Sequence, residues 1–259
     1  MMEQVLSHLG HRTIAFLEHV GRMIRLTRDT CYYLGKGAVN YRLTVDQMAQ
    51  LGVNSLFIVF ITVAFAGMVL SLELAHIAIR YGVGKMVGGG VAIAMAREFA
   101  PMLPAIVVAG RVGSAITAEI GSMKVTEQID ALEALATSPV RYLVVPRFLA
   151  CAVMIPILTL FANFSGNWGG YLIATSYAQI TPSAYMDSIH RMAVMEDLTA
   201  GLIKALVFAI LISLVSCHQG MITEGGAAGV GKSTTTSVVV SIILIFATNY
   251  FLSYFLFKS

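Results

Sequence analysis

From Gln47 to Leu72 the chain carries no charged residue, and the same is true of Phe148–Met186 and Ser233–Phe257. About 20 consecutive apolar residues suffice to cross the hydrocarbon core of a bilayer. Two more apolar stretches, about Met86–Ser122 and about Leu198–His218, are equally long but hold charges: Arg97, Glu98, Arg111 and Glu119 in the first, Lys204 in the second. Backbone polar groups in lipid must be satisfied within the segment, so such runs fold as helices. The expected class is an all-α polytopic membrane protein with five transmembrane helices. Composition agrees: 57% of residues are hydrophobic and 12% charged, against roughly 25% charged in soluble domains. The net charge of +3 gives no reason to expect nucleic acid as a partner. Cys31, Cys151 and Cys217 are odd in number and far apart, which excludes a disulfide framework or a CxxC metal site.

The chain divides into an N-terminal region, 1–46, and a five-span domain, 47–259. Residues 5–28 place Leu6, Leu9, Phe16, Leu17, Val20, Met23 and Ile24 on one helical face. His8, His11, Arg12, Glu18, His19, Arg22 and Arg25 lie on the other. A basic face opposite a Leu/Phe face suits a helix lying in the membrane interface. His8 and His11 have no ligand cluster around them, so no metal is expected. Residues 29–46 read as a polar connector. No apolar core of a signal peptide precedes the first span.

Between the second and third spans, about Val125–Ala136 forms a short helix too acidic to cross a membrane. Thr126 is its candidate cap, and Ser138-Pro139 stops it. Glu127, Asp130 and Glu133 make an acidic ridge opposite Ile129, Leu132 and Ala136. Thr181-Pro182 opens another short helix, to about Val194. With the N-terminus inside, ten Lys and Arg residues flank the spans on the cytoplasmic side and four outside, namely Arg80, Lys85, Arg191 and Lys258. The positive-inside rule then predicts a cytoplasmic N-terminus and an outer C-terminus.

An ionisable group at the bilayer centre costs about 2.5–3.5 kcal/mol by insertion scales. Four in one span call for a reason. On an ideal helix Arg97, Arg111 and Glu119 share one stripe, with Glu98 to its side. Pro101 and Pro104 bend that helix. Arg111 and Glu119 are about 12 Å apart along the axis, so each needs a partner on another element. A charge network holding helices together and a direct part in transport are both compatible with this pattern.

The stretch AGRVGSAITAEIGSMKVTEQIDALEALATSP resembles the signature of the MlaE-type permease family, the membrane subunits of ABC transporters that move phospholipids or related lipids together with MCE-domain proteins. Gly110, Arg111, Gly113, Ser114, Ala118, Glu119, Gly121, Glu127, Gln128 and Pro139 carry the resemblance. It implies a separate ABC ATPase subunit that binds ATP and Mg, an MCE-domain lipid-binding partner, and a second copy of this chain around a shared cavity. It also implies that the short helix with Glu127, Asp130 and Glu133 couples to the ATPase, and that Lys204 lies near the lipid cavity. Arg97 and Glu98, near mid-membrane, would join Lys204 at the lipid headgroup. Arg111 and Glu119, deeper toward the cytoplasm, would be a structural charge network. The expected location is a bacterial inner membrane, with the plastid inner envelope second.

Gly226–Ser233 matches the phosphate-binding pattern GxxxxGK[ST] letter for letter. A nucleotide loop sits between a strand and a helix, and almost everything after Ser233 is a membrane span. The match is read as a decoy in a flexible cytoplasmic turn, with no catalytic site and no cofactor in this chain. The competing functions are an ion-coupled secondary transporter using the buried Arg, Glu and Lys set, and an NTPase built on Gly226–Ser233.

Overall fold

The computed structural model describes residues 2–37 and 39–257, the side chains of 2–13, 15 and 16 excepted. The described residues form helices and no strand. Five helices are long and apolar enough to cross a membrane: Tyr41–Arg80, Gly84–Val125, Val140–Ser176, Met195–Met221 and Gly226–Leu256. They are numbered here as the first to fifth spans. Three further helices accompany them: the N-terminal helix Met2–Gly35, a short helix Gln128–Ala134, and a hairpin helix Pro182–Met192.

Small residues set the closest approaches, as expected where apolar packing against lipid gives no net drive and backbone contact must do so. The first and third spans run parallel. A Cβ on Gly67 would lie 2.0 Å from the Gly166 carbonyl oxygen, and one on Gly169 would lie 2.3 Å from that of Ala64. Ser71 Oγ donates to the Gly170 carbonyl at 2.8 Å, closing this seam. The second and fourth spans form the other parallel pair, and Thr117 Oγ1 donates to the Ser216 carbonyl at 3.0 Å. The fifth span packs antiparallel on the second and fourth along one edge, and its Phe246, Tyr250, Phe251 and Phe255 stay exposed.

The N-terminal helix docks through Leu26 and Thr30, both buried. His19 meets His218 of the fourth span edge-on, ring centroids 6.0 Å apart. Leu17, Val20 and Ile24 point away from the bundle, as an interfacial face would. The helix runs on to Gly35 and the first span begins at Tyr41, capped by the Asn40 side chain on Leu43 N–H. The polar connector expected over 29–46 is thus mostly helix, because Thr27 and Thr30 turn their hydroxyls back onto Met23 and Leu26 carbonyls and leave the backbone helical. The side chains of Leu6, Leu9, Phe16, His8 and His11 lie outside the described residues, as does Lys258.

The third span starts at Val140, ahead of Arg147, and ends at Ser176, and the hairpin helix ends at Met192. Gly226–Ser233 is not a flexible turn. It forms the first turns of the fifth span, entered through Gly225 and Gly226 at φ 86° and 65°. Those left-handed conformations suit glycine. A Cβ on Gly229 would lie 1.7 Å from the Glu224 carbonyl oxygen, so Gly226 and Gly229 serve a tight helix start, whereas Gly231 has open space around it.

Candidate functional site

The second span is not one regular helix. It has π-turns at Met95–Phe99 and Ala109–Gly113, and each wider turn slips the side-chain register. The shared stripe of Arg97, Arg111 and Glu119 is therefore broken up, and the charges reach three different neighbours. Arg97 Nε meets Asp197 Oδ1 of the fourth span at 2.6 Å. Arg111 Nη1 donates to the Asn54 carbonyl of the first span. Glu119 Oε2 accepts from Arg147 Nη2 of the third span at 2.7 Å.

Beside the first π-turn the second, fourth and fifth spans build a polar cluster. Lys204 is fully buried. Its ammonium has three N–H donors and three acceptors: the Arg97 carbonyl at 2.8 Å, Glu98 Oε1 at 2.9 Å and Ser253 Oγ at 2.8 Å. Pro101 explains the first. It has no N–H to offer the Arg97 carbonyl four residues earlier, and Lys204 supplies the missing donor. Ser253 Oγ in turn donates a hydrogen bond to Glu98 Oε1 at 2.8 Å, and Asn249 Nδ2 donates to Glu98 Oε2 at 2.8 Å. Phe257 closes the cluster, its ring 4.4 Å from Arg97 Cζ and 5.1 Å from Lys204 Nζ. Such contacts favour a desolvated cation.

The structure thus brings Arg97, Glu98 and Lys204 together and adds Asp197, Asn249, Ser253 and Phe257. Asp197 was missed because it sits in the first turn of the fourth span, which begins at Met195. There it also accepts from the Val194 N–H at 3.2 Å. Through Asp197, Arg97 is tied to the N-terminal turn of the fourth span. Asn249 and Ser253 were hidden in a span read only for charge; their spacing of one helical turn was the available signal.

Arg111 and Glu119 line a separate pocket of about 270 Å³ with Gln47, Gln50 and Asn54. They do not touch each other. Glu119 is paired with Arg147, which is buried and also donates to the Leu143 carbonyl at 2.8 Å.

The acidic short helix is Gln128–Ala134, tighter than Val125–Ala136. Thr126 does not cap it; its hydroxyl donates back to the Ser122 carbonyl at 2.8 Å. Glu127 precedes the helix at φ 59°, a left-handed conformation that costs a non-glycine residue about 1–2 kcal/mol. Glu127 and Glu133 are exposed, while Asp130 pairs with Lys124 at 2.9 Å. Ile129 is buried beneath them, Leu132 is half-buried, and Ala136 is exposed.

Long apolar helices, close small-residue seams and a buried ion cluster define a polytopic helical membrane protein built around polar groups inside its bundle. Residues 44–255 match the profile of the family described as Permease MlaE, and the chain belongs to that family. It is 45% identical over 233 residues to a probable ABC transporter permease protein of Synechocystis, covering 90% of this chain and 89% of that one. A probable ABC transporter permease protein of Rickettsia typhi is 37% identical over the full length of both chains. The chloroplastic Arabidopsis thaliana protein trigalactosyldiacylglycerol 1 is 39% identical over 223 residues, covering 86% of this chain and 64% of that protein. The chain is a permease.

Proposed function

We propose that this permease moves phospholipid or a related lipid between membranes and is driven by ATP hydrolysis on a separate ATPase subunit. The observation that carries this reading is the Glu98–Lys204–Asn249–Ser253 cluster at the edge of the open apolar face of the fifth span. It offers fixed charge and hydrogen-bonding groups beside a wall of Phe246, Tyr250 and Phe251, which suits a headgroup joined to acyl tails. Asn249 Oδ1 is buried with no partner among the described residues. The name of the Arabidopsis relative, which refers to a diacylglycerol lipid, supports the cargo class.

The exposed face of the fifth span is where a second copy of the chain would complete the cavity. The short helix Gln128–Ala134, with Glu127 and Glu133 exposed, is the surface for an ABC ATPase that binds ATP and Mg. An MCE-domain protein would take the lipid at the opposite end. By the balance of Lys and Arg, the N-terminus is cytoplasmic and the C-terminus lies outside, in a bacterial inner membrane.

The test is lipid bound per purified complex, read beside its gel-filtration profile. Asn249→Ala, which removes one hydrogen bond to Glu98, and Ser253→Ala, which removes one to Glu98 and one from Lys204, should each lower bound lipid severalfold with assembly intact. Unchanged lipid content in both variants counts against the cluster as the headgroup site.

A further inference from the structure

A polar pocket opens where the N-terminal helix ends and the first and third spans begin. Its volume is about 660 Å³, and Tyr33, Asn40, Arg42, Thr137, Ser138 and Arg141 are among the residues that line it. No Asp or Glu is among the lining residues. Arg42 and Arg141 are both exposed, and neither guanidinium has an ion pair or hydrogen bond among the described residues. Asp46 lies one turn further along the first span and is not paired with Arg42. The hydroxyls of Thr137 and Ser138, half-buried residues, are likewise unbonded. By contrast, Arg97, Lys124, Arg147 and Lys204 each hold a carboxylate. The pocket therefore presents two accessible positive charges and free hydroxyls with no negative group to balance them.

Its depth follows from the first span. Val45, Val53, Phe57, Phe65 and Val69 are exposed apolar residues of that helix, the face it turns to lipid. From Val45 to Val69 is about 36 Å along the axis, enough to cover a hydrocarbon core of about 30 Å. Arg42 lies one turn beyond Val45, at the level of lipid headgroups. Arg141 is in the first turn of the third span, which runs parallel to the first and starts beside it. Tyr41 and Tyr142 also line the pocket and are exposed, as tyrosines of a membrane–water boundary are. The short helix ends at Ala134, just before Thr137. A protein that meets its exposed Glu127 and Glu133 has to be basic there, the wrong charge for Arg42 and Arg141.

We propose that this pocket binds the phosphate of an anionic phospholipid whose headgroup carries hydroxyls, of the phosphatidylglycerol class. Arg42 and Arg141 donate to the phosphate oxygens, a geometry that guanidinium groups suit. The headgroup hydroxyls bond to Thr137 and Ser138, and the acyl chains run along Val45 and Val53. A zwitterionic headgroup would bring an ammonium to a pocket with no carboxylate to receive it. The bound lipid ties the link after the short helix to the head of the first span. The site is separate from the Glu98–Lys204 cluster and depends on the placement of the spans in a bilayer, not on the transported cargo.

Trp168 is the only tryptophan of the chain, so a reporter can be moved to the pocket. The purified full-length chain carrying Trp168→Phe and Val45→Trp is titrated in mixed micelles with phosphatidylglycerol and with phosphatidylcholine, both brominated on the same acyl positions. Half-saturation of quenching is expected at a mole fraction at least tenfold lower for phosphatidylglycerol, since each arginine near the surface is worth roughly fivefold. A Trp168→Phe, Phe65→Trp reporter, about 30 Å further along the span, should show no preference. Arg42→Gln and Arg141→Gln should each reduce the preference about fivefold, and the double variant should remove it with an unchanged gel-filtration profile, since neither side chain has a partner to lose. Thr137→Asp, which adds a negative charge to the pocket and leaves both arginines in place, should remove it too. Equal affinity for the two lipids, or a preference that survives the double variant and Thr137→Asp, would overturn the assignment. Two further arms separate the sources of the anion. Inorganic phosphate at constant ionic strength should leave the quenching by phosphatidylglycerol in place; displacement would make this a site for free phosphate. The ATPase subunit should likewise leave it in place; its loss on adding the ATPase, with release of the ATPase from the double variant, would make the pocket a protein contact and overturn the lipid assignment.

Discussion

Glu98 and Lys204 share one ion pair but are not equally exposed. The Lys204 side chain is 0% exposed and the Glu98 side chain 37%. Removing the carboxylate strands a buried ammonium with two neutral acceptors, whereas removing the ammonium leaves a carboxylate that Asn249 and Ser253 still bond. Breaking a buried pair costs about 3–5 kcal/mol when the remaining charge is uncompensated. Glu98→Ala should therefore lower the yield of folded permease and its melting temperature in detergent more than Lys204→Met does. The reverse order would mean that Glu98, not Lys204, holds the buried charge. That these residues face each other was not legible in the sequence, because nothing along one chain says which spans touch. That they are unusual was legible, since charge inside an apolar run is rare.

At the scale of the helix, Pro101 makes an unusual stability prediction. Proline in a helix interior is normally about 3 kcal/mol worse than alanine, so replacing it ordinarily stabilises. Here Pro101→Ala supplies an N–H that competes with Lys204 for the Arg97 carbonyl. The expected outcome is no gain, or a loss, in thermal stability, measured on the purified permease. A clear gain would mean that the carbonyl is not reserved for Lys204. The five spans and both short helices were readable from apolar length, Pro and Thr-Pro punctuation. The π-turns were not, because a register slip leaves no compositional mark, and the stripe drawn for Arg97, Arg111 and Glu119 failed for that reason. The GxxxxGK[ST] match misled in a smaller way: its glycines suggested a loose turn, while Gly229 is required by contact with the Glu224 carbonyl.

For the whole molecule, the exposed acids of the short helix are the place to test coupling. Glu127→Lys with Glu133→Lys should reduce transport-linked ATP hydrolysis or release the ATPase, while the permease alone elutes as before, because neither side chain is buried. Full coupling in the double variant would remove this helix as the contact.

The same helix hangs from the end of the second span and leads to the start of the third. Those spans belong to different tight pairs, second with fourth and third with first, each stiffened where glycine lets backbones touch. A force applied at the short helix therefore falls on the joint between two rigid staves. Under the coupling role proposed above, it would act as a wedge that parts the two pairs. We expect spin labels on Val69 and Phe164, within one stave, to keep their distance through the ATP cycle, while labels on Val69 and Ile203, across the joint, separate and return.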